Sequence, residues 1–275
     1  MVTARPDLRL PWDVMSNFTQ RARIIPAEFD DGWVLEINGE VQSHVDLNDP
    51  SLLRFEYLRR IGNVLDVCWP PGQPIHILHL GAGALTLTRY VQATRPGSRQ
   101  TVIELDPELV TYVTAQLPLP PGTDLHVITG DARAELTQVA HQFDAIIVDI
   151  FSGRDTATHL SDEPFYRDLL QRLTNRGVLL VNIGDDEGLE FFGHQVRILH
   201  RAAVHAGADG VWTLADAITL DQRLAGNAVV ATGPALPTGH DDAAALASQL
   251  LATGPYPAKV LIPSQTTALI ENISR

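Results

Sequence analysis

The sequence has a single cysteine, Cys68, so no disulfide forms within the chain. That fits a reducing compartment and an expected cytoplasmic location. Cys68 precedes Trp69-Pro70-Pro71 with no obvious base beside it, and reads as a packing residue. No apolar run reaches the roughly 18 residues of a membrane span, and no N-terminal stretch has a signal-peptide layout. Basic surface is lacking too. The 20 Lys and Arg stand against 33 Asp and Glu, a formal net charge of −13, and no basic stripe occurs. This excludes a nucleic-acid surface, because phosphate contacts need clustered cations. An acidic chain suits a small cationic partner, and equally serves plain solubility. The 10 histidines form no HExxH or CxxC-type cluster. His76 and His79 are three apart on a predicted strand and so face opposite sides. No metal is assigned.

What is present is 275 residues, 45% hydrophobic, enough for one medium domain with a small appendage. Residues 21–45 hold three short strand-like runs separated by Asp30-Asp31-Gly32 and Asn38-Gly39. Asn-Gly between alternating runs is a strong hairpin signal. Residues 1–20 read as a loose lead-in. Residues 50–68 carry a helical stripe of Leu52, Phe55, Leu58 and Ile61, and Pro70, Pro71 and Pro74 then mark a linker. From Ile75, strand-like runs at 75–80, 100–104, 124–128, 144–149 and 177–182 alternate with helical segments. Two late strands, 210–216 and 227–233, follow with little helix between them, and an Ala-rich helix covers 240–253. The expected fold is α/β: a Rossmann-like, methyltransferase-type doubly wound sheet with a small N-terminal antiparallel β element. The expected division is 1–70, the hairpin region and connecting helix, and 71–275, a nucleoside-binding domain. Edges of the small sheet favour pairing, which makes a homo-oligomer through the N-terminal β region an expectation.

Four signatures follow in order: HILHLGAG, TVIELD, ITGDAR and FDAIIVDIF. Each is an apolar run ending in a glycine or an acid. Open α/β sheets bind ligands at such strand ends. Gly81 and Gly83 let the backbone approach a ligand closely, although GxG after a strand is often only a tight turn. The third glycine of a dinucleotide fingerprint falls on Thr86, which disfavours NAD. Glu104 stands at the second strand end, placed to accept from ribose hydroxyls. Asp106 reads as a helix cap. Asp131 is a candidate for an adenine amine, with the Ala132 amide beside it, or else an N-cap. Asp149 ends a fully apolar strand, so burial raises its pKa toward that of a general base, unless it only caps a loop.

In this order the signatures, followed by EPFYRDLLQRLTNRGVLLVN, resemble the polyamine aminopropyltransferases, the spermidine synthases. The hairpin LEINGEVQ resembles that family's LDGxxQ element. The resemblance covers roughly residues 30–235 and implies an enzyme, a transferase. It implies decarboxylated S-adenosylmethionine as co-substrate and a small di- or polyamine as acceptor, with no metal. Carried over, Gly81 and Gly83 form the nucleoside loop, Glu104 holds ribose, Asp131 and Ala132 read adenine, and Asp149 is the base. The acceptor side departs from the pattern. The acid of GGGDGG is Ala84 here, and YHEM appears as RFEY, Arg54 to Tyr57. The loop from Ile150 to Thr156 puts Ser152 where the family has a second acid, and lacks both prolines. Asp155, Asp185 or Asp186 are candidate replacements. The chain is also expected to be shorter at both ends than a full family member. Two alternatives stand beside this reading. One is a methyltransferase using S-adenosylmethionine, with Arg89 or Arg154 as the cation for the methionine carboxylate. The other is a non-catalytic nucleoside-binding homologue.

Overall fold

The computed structural model describes residues 13–14, 21–139, 141–150, 158–208 and 210–273. Most of the expected lead-in, and the loop carrying Ser152, Arg154 and Asp155, lie outside the described residues.

Strands β1 (Asp13–Val14), β2 (Arg21–Pro26), β3 (Trp33–Ile37) and β4 (Glu40–Val45) form an antiparallel sheet in that order. Asn38 and Gly39 both have positive φ, 54° and 90°. Such two-residue turns match the right-handed twist of the flanking strands, which is why Asn-Gly is found there. Helix α1 (Glu56–Cys68) follows. It starts later than the stripe predicts. Asp46 and Asp49 accept amides from Asn48, Asp49 and Ser51, so local turns compete with helix, and Leu52 and Phe55 fall ahead of the first turn. Leu58, Ile61, Val64 and Leu65 form its buried face.

The main sheet contains β5 (His76–Leu80), β6 (Arg99–Glu104), β7 (Asp124–Thr129), β8 (Phe143–Val148), β9 (Leu173–Asp185), β10 (Trp212–Ala215), β11 (Gly226–Thr232) and β12 (Lys259–Leu261). Their order is β12-β10-β11-β9-β8-β5-β6-β7. The five strands from β7 to β9 pair in parallel, and β11, β10 and β12 pair antiparallel. Between them lie α2 (Thr86–Thr94), α3 (Leu109–Gln116), α4 (Ala132–Leu136), α5 (Glu163–Gln171), α6 (Glu190–His205) and α7 (Ala217–Gln222). Helices α8 (His240–Ala252) and α9 (Pro263–Ile273) follow β11. The sequence pattern did not reveal β12 or α9, and three residues are too few for alternation to register.

Both faces of the sheet are covered, so its central strands are mainly apolar runs rather than alternating. Leu78, Leu80, Ile146, Val148, Leu179 and Val181 pack with α5 and α6 on one face. Ile77, Ile147, Leu180 and Val229 pack with α1, α2 and α8 on the other. Cys68 borders this second cluster as a half-buried thiol whose pKa burial pushes up to about 12. His79 is buried, and His76 is half-buried with its ring centroid 4.5 Å from that of Phe143. The chain leaves β5 toward β6 on one side and later returns through β8 on the other. The crevice at that reversal is where open α/β sheets bind ligands.

Candidate functional site

A cavity of about 990 Å³ opens at the reversal. That is nucleoside-sized with room to spare. Gly81, Gly83, Glu104, Asp131, Ala132 and Asp149 all line it.

Gly81 follows β5 with φ +93°, and a Cβ there would run into the backbone carbonyl of Asp149. The close approach is a hydrogen-bonded one. The Asp149 amide donates to the Leu80 carbonyl at 2.9 Å, and the Gly81 amide to that of Ile103 at 2.9 Å. Gly83 has φ +49°, and a Cβ would meet Ser43 Oγ at 2.6 Å. The same hydroxyl accepts from the Ala84 amide at 3.1 Å, and Thr86 Oγ1 donates to the His44 carbonyl at 2.9 Å. Strand β4 thus clamps the glycine loop.

Glu104 ends β6. Its Oε2 accepts from the Ala82 amide at 2.8 Å and its Oε1 from the Asp106 amide at 2.9 Å. Burial raises its carboxyl pKa, and these amides offset only part of that. Each oxygen keeps a second lone pair. Asp106 accepts the Glu108 amide at 2.9 Å in the turn before α3. Asp131 caps α4, with Oδ1 accepting from the amides of Arg133 and Ala134. Its Oδ2 lies 2.7 Å from His159 Nε2. Burial works against the charge, but His159 and the two amides outweigh it and hold the carboxyl below its ordinary range.

Asp149 follows β8. Part of its surface faces the cavity, yet the surrounding protein desolvates it and raises its pKa. Two groups counter that rise. Asn182 Nδ2 donates to Oδ1 at 2.8 Å, and the Tyr57 hydroxyl donates to Oδ2 at 3.3 Å. Burial and the nearby carboxylate drive the Tyr57 phenol upward, so it stays a donor. Asn227 Nδ2 in turn donates to Asn182 Oδ1 at 3.0 Å. His79, deep in the same wall, is held down to about 4 by burial and is therefore neutral, its Nε2 3.1 Å from Gln100 Oε1.

Some sequence candidates lie elsewhere. Arg89 is buried and donates to the carbonyls of Ala84, Leu117 and Pro118, so it is no cation for a ligand. Sequence spacing cannot see the carbonyls of Leu117 and Pro118, because they come from the turn after α3. Asp185 takes the Phe192 amide at 2.8 Å at the start of α6, and Asp186 is exposed. Neither lines the cavity. Tyr57 was visible only as part of an altered motif. Asn182 and Asn227 were not singled out. The available signal for Asn182 was a polar residue breaking an apolar strand, one position past Val181, which pairs with Val148. Among the described residues, no helix is long and apolar enough to cross a membrane, and no group of three or more His, Cys, Asp or Glu could hold a metal ion.

The fold and the cavity define a Rossmann-like protein of the methyltransferase type. The spermine/spermidine synthase domain family matches residues 55–186. A polyamine aminopropyltransferase from Neisseria meningitidis is 29% identical over 143 residues, 52% of this chain and 54% of that protein. The chain therefore spans about half the length of the curated relatives it matches. A crystal structure of a probable spermidine synthase from Corynebacterium glutamicum superposes with a TM-score of 0.78. It is 26% identical and covers 92% of this chain and 91% of its own. A spermidine synthase in complex with the transition state analogue AdoDATO shares the fold at TM-score 0.57 and 15% identity, covering 83% and 74%. The chain is therefore similar to the spermidine synthases, in sequence over residues 55–186 and in fold over most of its length.

Proposed function

We propose that this protein is an aminopropyltransferase that moves the aminopropyl group of decarboxylated S-adenosylmethionine to a small di- or polyamine. The observation that carries this reading is the placing of Asp149. It sits at the end of an apolar strand, against the glycine loop, with both carboxylate oxygens held by donors. In the proposed site, Gly81 and Gly83 let the loop close on the nucleoside. Glu104 offers its remaining lone pairs to the ribose, while Asp131 and the Ala132 amide face adenine.

The sulfonium donor supplies an electrophilic carbon and a neutral thioether leaving group. An ammonium has no lone pair, so the acceptor must lose a proton before it attacks. Asp149 takes that proton first, and the freed amine then forms the C–N bond as the C–S bond breaks, with the bond's electrons passing to sulfur. Burial helps by making the carboxylate a stronger base than it is in water. Tyr57 and Asn182 fix its direction, and alignment of amine and carbon supplies a further large part of the rate.

The test is release of methylthioadenosine with each of the two donors, S-adenosylmethionine and its decarboxylated form, alongside titration calorimetry of both. Turnover with the decarboxylated donor and an amine supports the proposal. Binding of S-adenosylmethionine alone moves the protein to the methyltransferases, and binding of no adenosyl compound ends the nucleoside reading.

A further inference from the structure

Arg60 is a buried charge on the cavity wall that the proposed reaction leaves unused. It lies on α1 one turn beyond Tyr57, so both side chains are on one face of the helix. Its side chain is only 4% exposed. Nη1 donates to Glu56 Oε2 at 3.1 Å, while Nη2 is sealed from solvent with no partner. Arg54 also borders the cavity, 3.0 Å from Asp30, so guanidinium groups stand on either side of Tyr57 in the sequence.

The wall's carboxylates are already engaged. Glu56 is on Arg60, Glu104 on two amides, Asp131 on two amides and His159, Asp149 on Tyr57 and Asn182, and Asp216 on the Ile218 amide. Of these acids only Glu56 is paired with an arginine, so the other four leave the wall open to an amine, while Arg60 is a cation with a donor to spare. An unpaired buried guanidinium nitrogen is costly, and the group best shaped to satisfy it is a carboxylate.

We propose that Arg60 binds a carboxylate carried on the aliphatic part of the substrate. This rests on the reading of the cavity as an adenosyl-sulfonium and amine site. The carboxylate is that of an amino-acid-type acceptor, a diamine that also carries a carboxylate, and two pairs of probes separate this from the amino-acid end of S-adenosylmethionine. S-adenosylmethionine against its decarboxylated form tests the donor. Ornithine against putrescine, each titrated with methylthioadenosine present, tests the acceptor.

Calorimetry is expected to show ornithine binding about tenfold tighter than putrescine, or more, with no such preference in the donor pair. Arg60→Met removes that difference, and Arg60→Lys retains part of it. Thermal melts and methylthioadenosine binding report whether the variants are folded. Methylthioadenosine binding with no preference for ornithine, or with a carboxylate preference only in the donor pair, overturns the role of Arg60 at the acceptor and leaves the nucleoside site standing. So does a preference that survives in Arg60→Met. Failure of methylthioadenosine to bind the wild type brings down the underlying reading, and this proposal with it.

Discussion

Asn182 Nδ2 donates to Asp149 Oδ1 at 2.8 Å while its own Oδ1 accepts from Asn227 Nδ2 at 3.0 Å. The chain of bonds runs from β11 through β9 to the carboxylate that follows β8. It fixes which way each amide points, because Asn227 takes the acceptor of Asn182 and leaves only its donor for Asp149. With the Tyr57 hydroxyl on Oδ2, the carboxylate receives two hydrogen bonds and still keeps lone pairs for an incoming proton.

Asp149→Asn is expected to lower turnover by about 10²–10⁴-fold, the usual worth of a general base. Methylthioadenosine binding stays. Stability moves the other way. The folded carboxyl pKa lies above its ordinary 3.8, so the folded state holds its proton more tightly than the unfolded chain. Stability therefore falls as pH rises from 3.8 to the raised value, and the cost persists above both. Asparagine removes that cost, and the melting temperature at pH 8 rises by about 2–4 °C for each kcal/mol recovered. Unchanged turnover would remove Asp149 from the mechanism.

Tyr57→Phe deletes one of the two donors that counter the rise in the Asp149 pKa. The carboxyl pKa then climbs further, and the acid limb of the rate profile shifts to higher pH. On that limb the rate drops, and above it much of the rate returns. A rate–pH profile of both proteins checks this. A uniform loss at every pH would mean that Tyr57 contacts the substrate rather than tuning the base.

How far the sequence showed this site depends on what each residue bonds to. Gly81, Glu104, Asp131 and Asp149 stand at the ends of apolar runs, so strand periodicity places them at one sheet edge. The parallel strands β5 to β9 were legible for the same reason. Tyr57 lies 92 residues from Asp149, and Asn227 lies 45 from Asn182. No local pattern encodes bonds between such distant positions, which arise only when α1 and β11 pack beside β9. The burial of Arg89 was hidden too, because two of its three carbonyl partners, Leu117 and Pro118, lie in an irregular turn 28 and 29 residues away. Asp131 could be read from its sequence as an adenine contact or as a cap; it caps α4 and also lines the cavity.

Gly81→Ala puts a Cβ against the Asp149 carbonyl at a backbone angle of φ +93°. Left-handed geometry alone costs roughly 1–2 kcal/mol, and the clash adds to it by separating β5 from the residue after β8. Gly72→Ala is the control, since φ is +87° there but nothing lies within 4 Å. The expected result is a modest loss of stability for Gly72→Ala and a larger one for Gly81→Ala, with weakened methylthioadenosine binding. Equal effects in urea unfolding would show that the contact with Asp149 does not matter.

Arg89→Met separates a structural arginine from a ligand-binding one. The guanidinium donates to three carbonyls, two of them at 2.6 and 2.7 Å, and methionine fills the stem while leaving those oxygens unpaired. Each buried acceptor left unsatisfied costs roughly 1–3 kcal/mol, so the total loss is expected to reach about 3 kcal/mol or more. Arg89 does not line the cavity. The ratio of affinities for S-adenosylmethionine and its decarboxylated form should therefore match that of the wild type under conditions where the variant is folded. Urea unfolding measures the first quantity and calorimetry the second. A changed ratio with unchanged stability would put Arg89 back at the ligand.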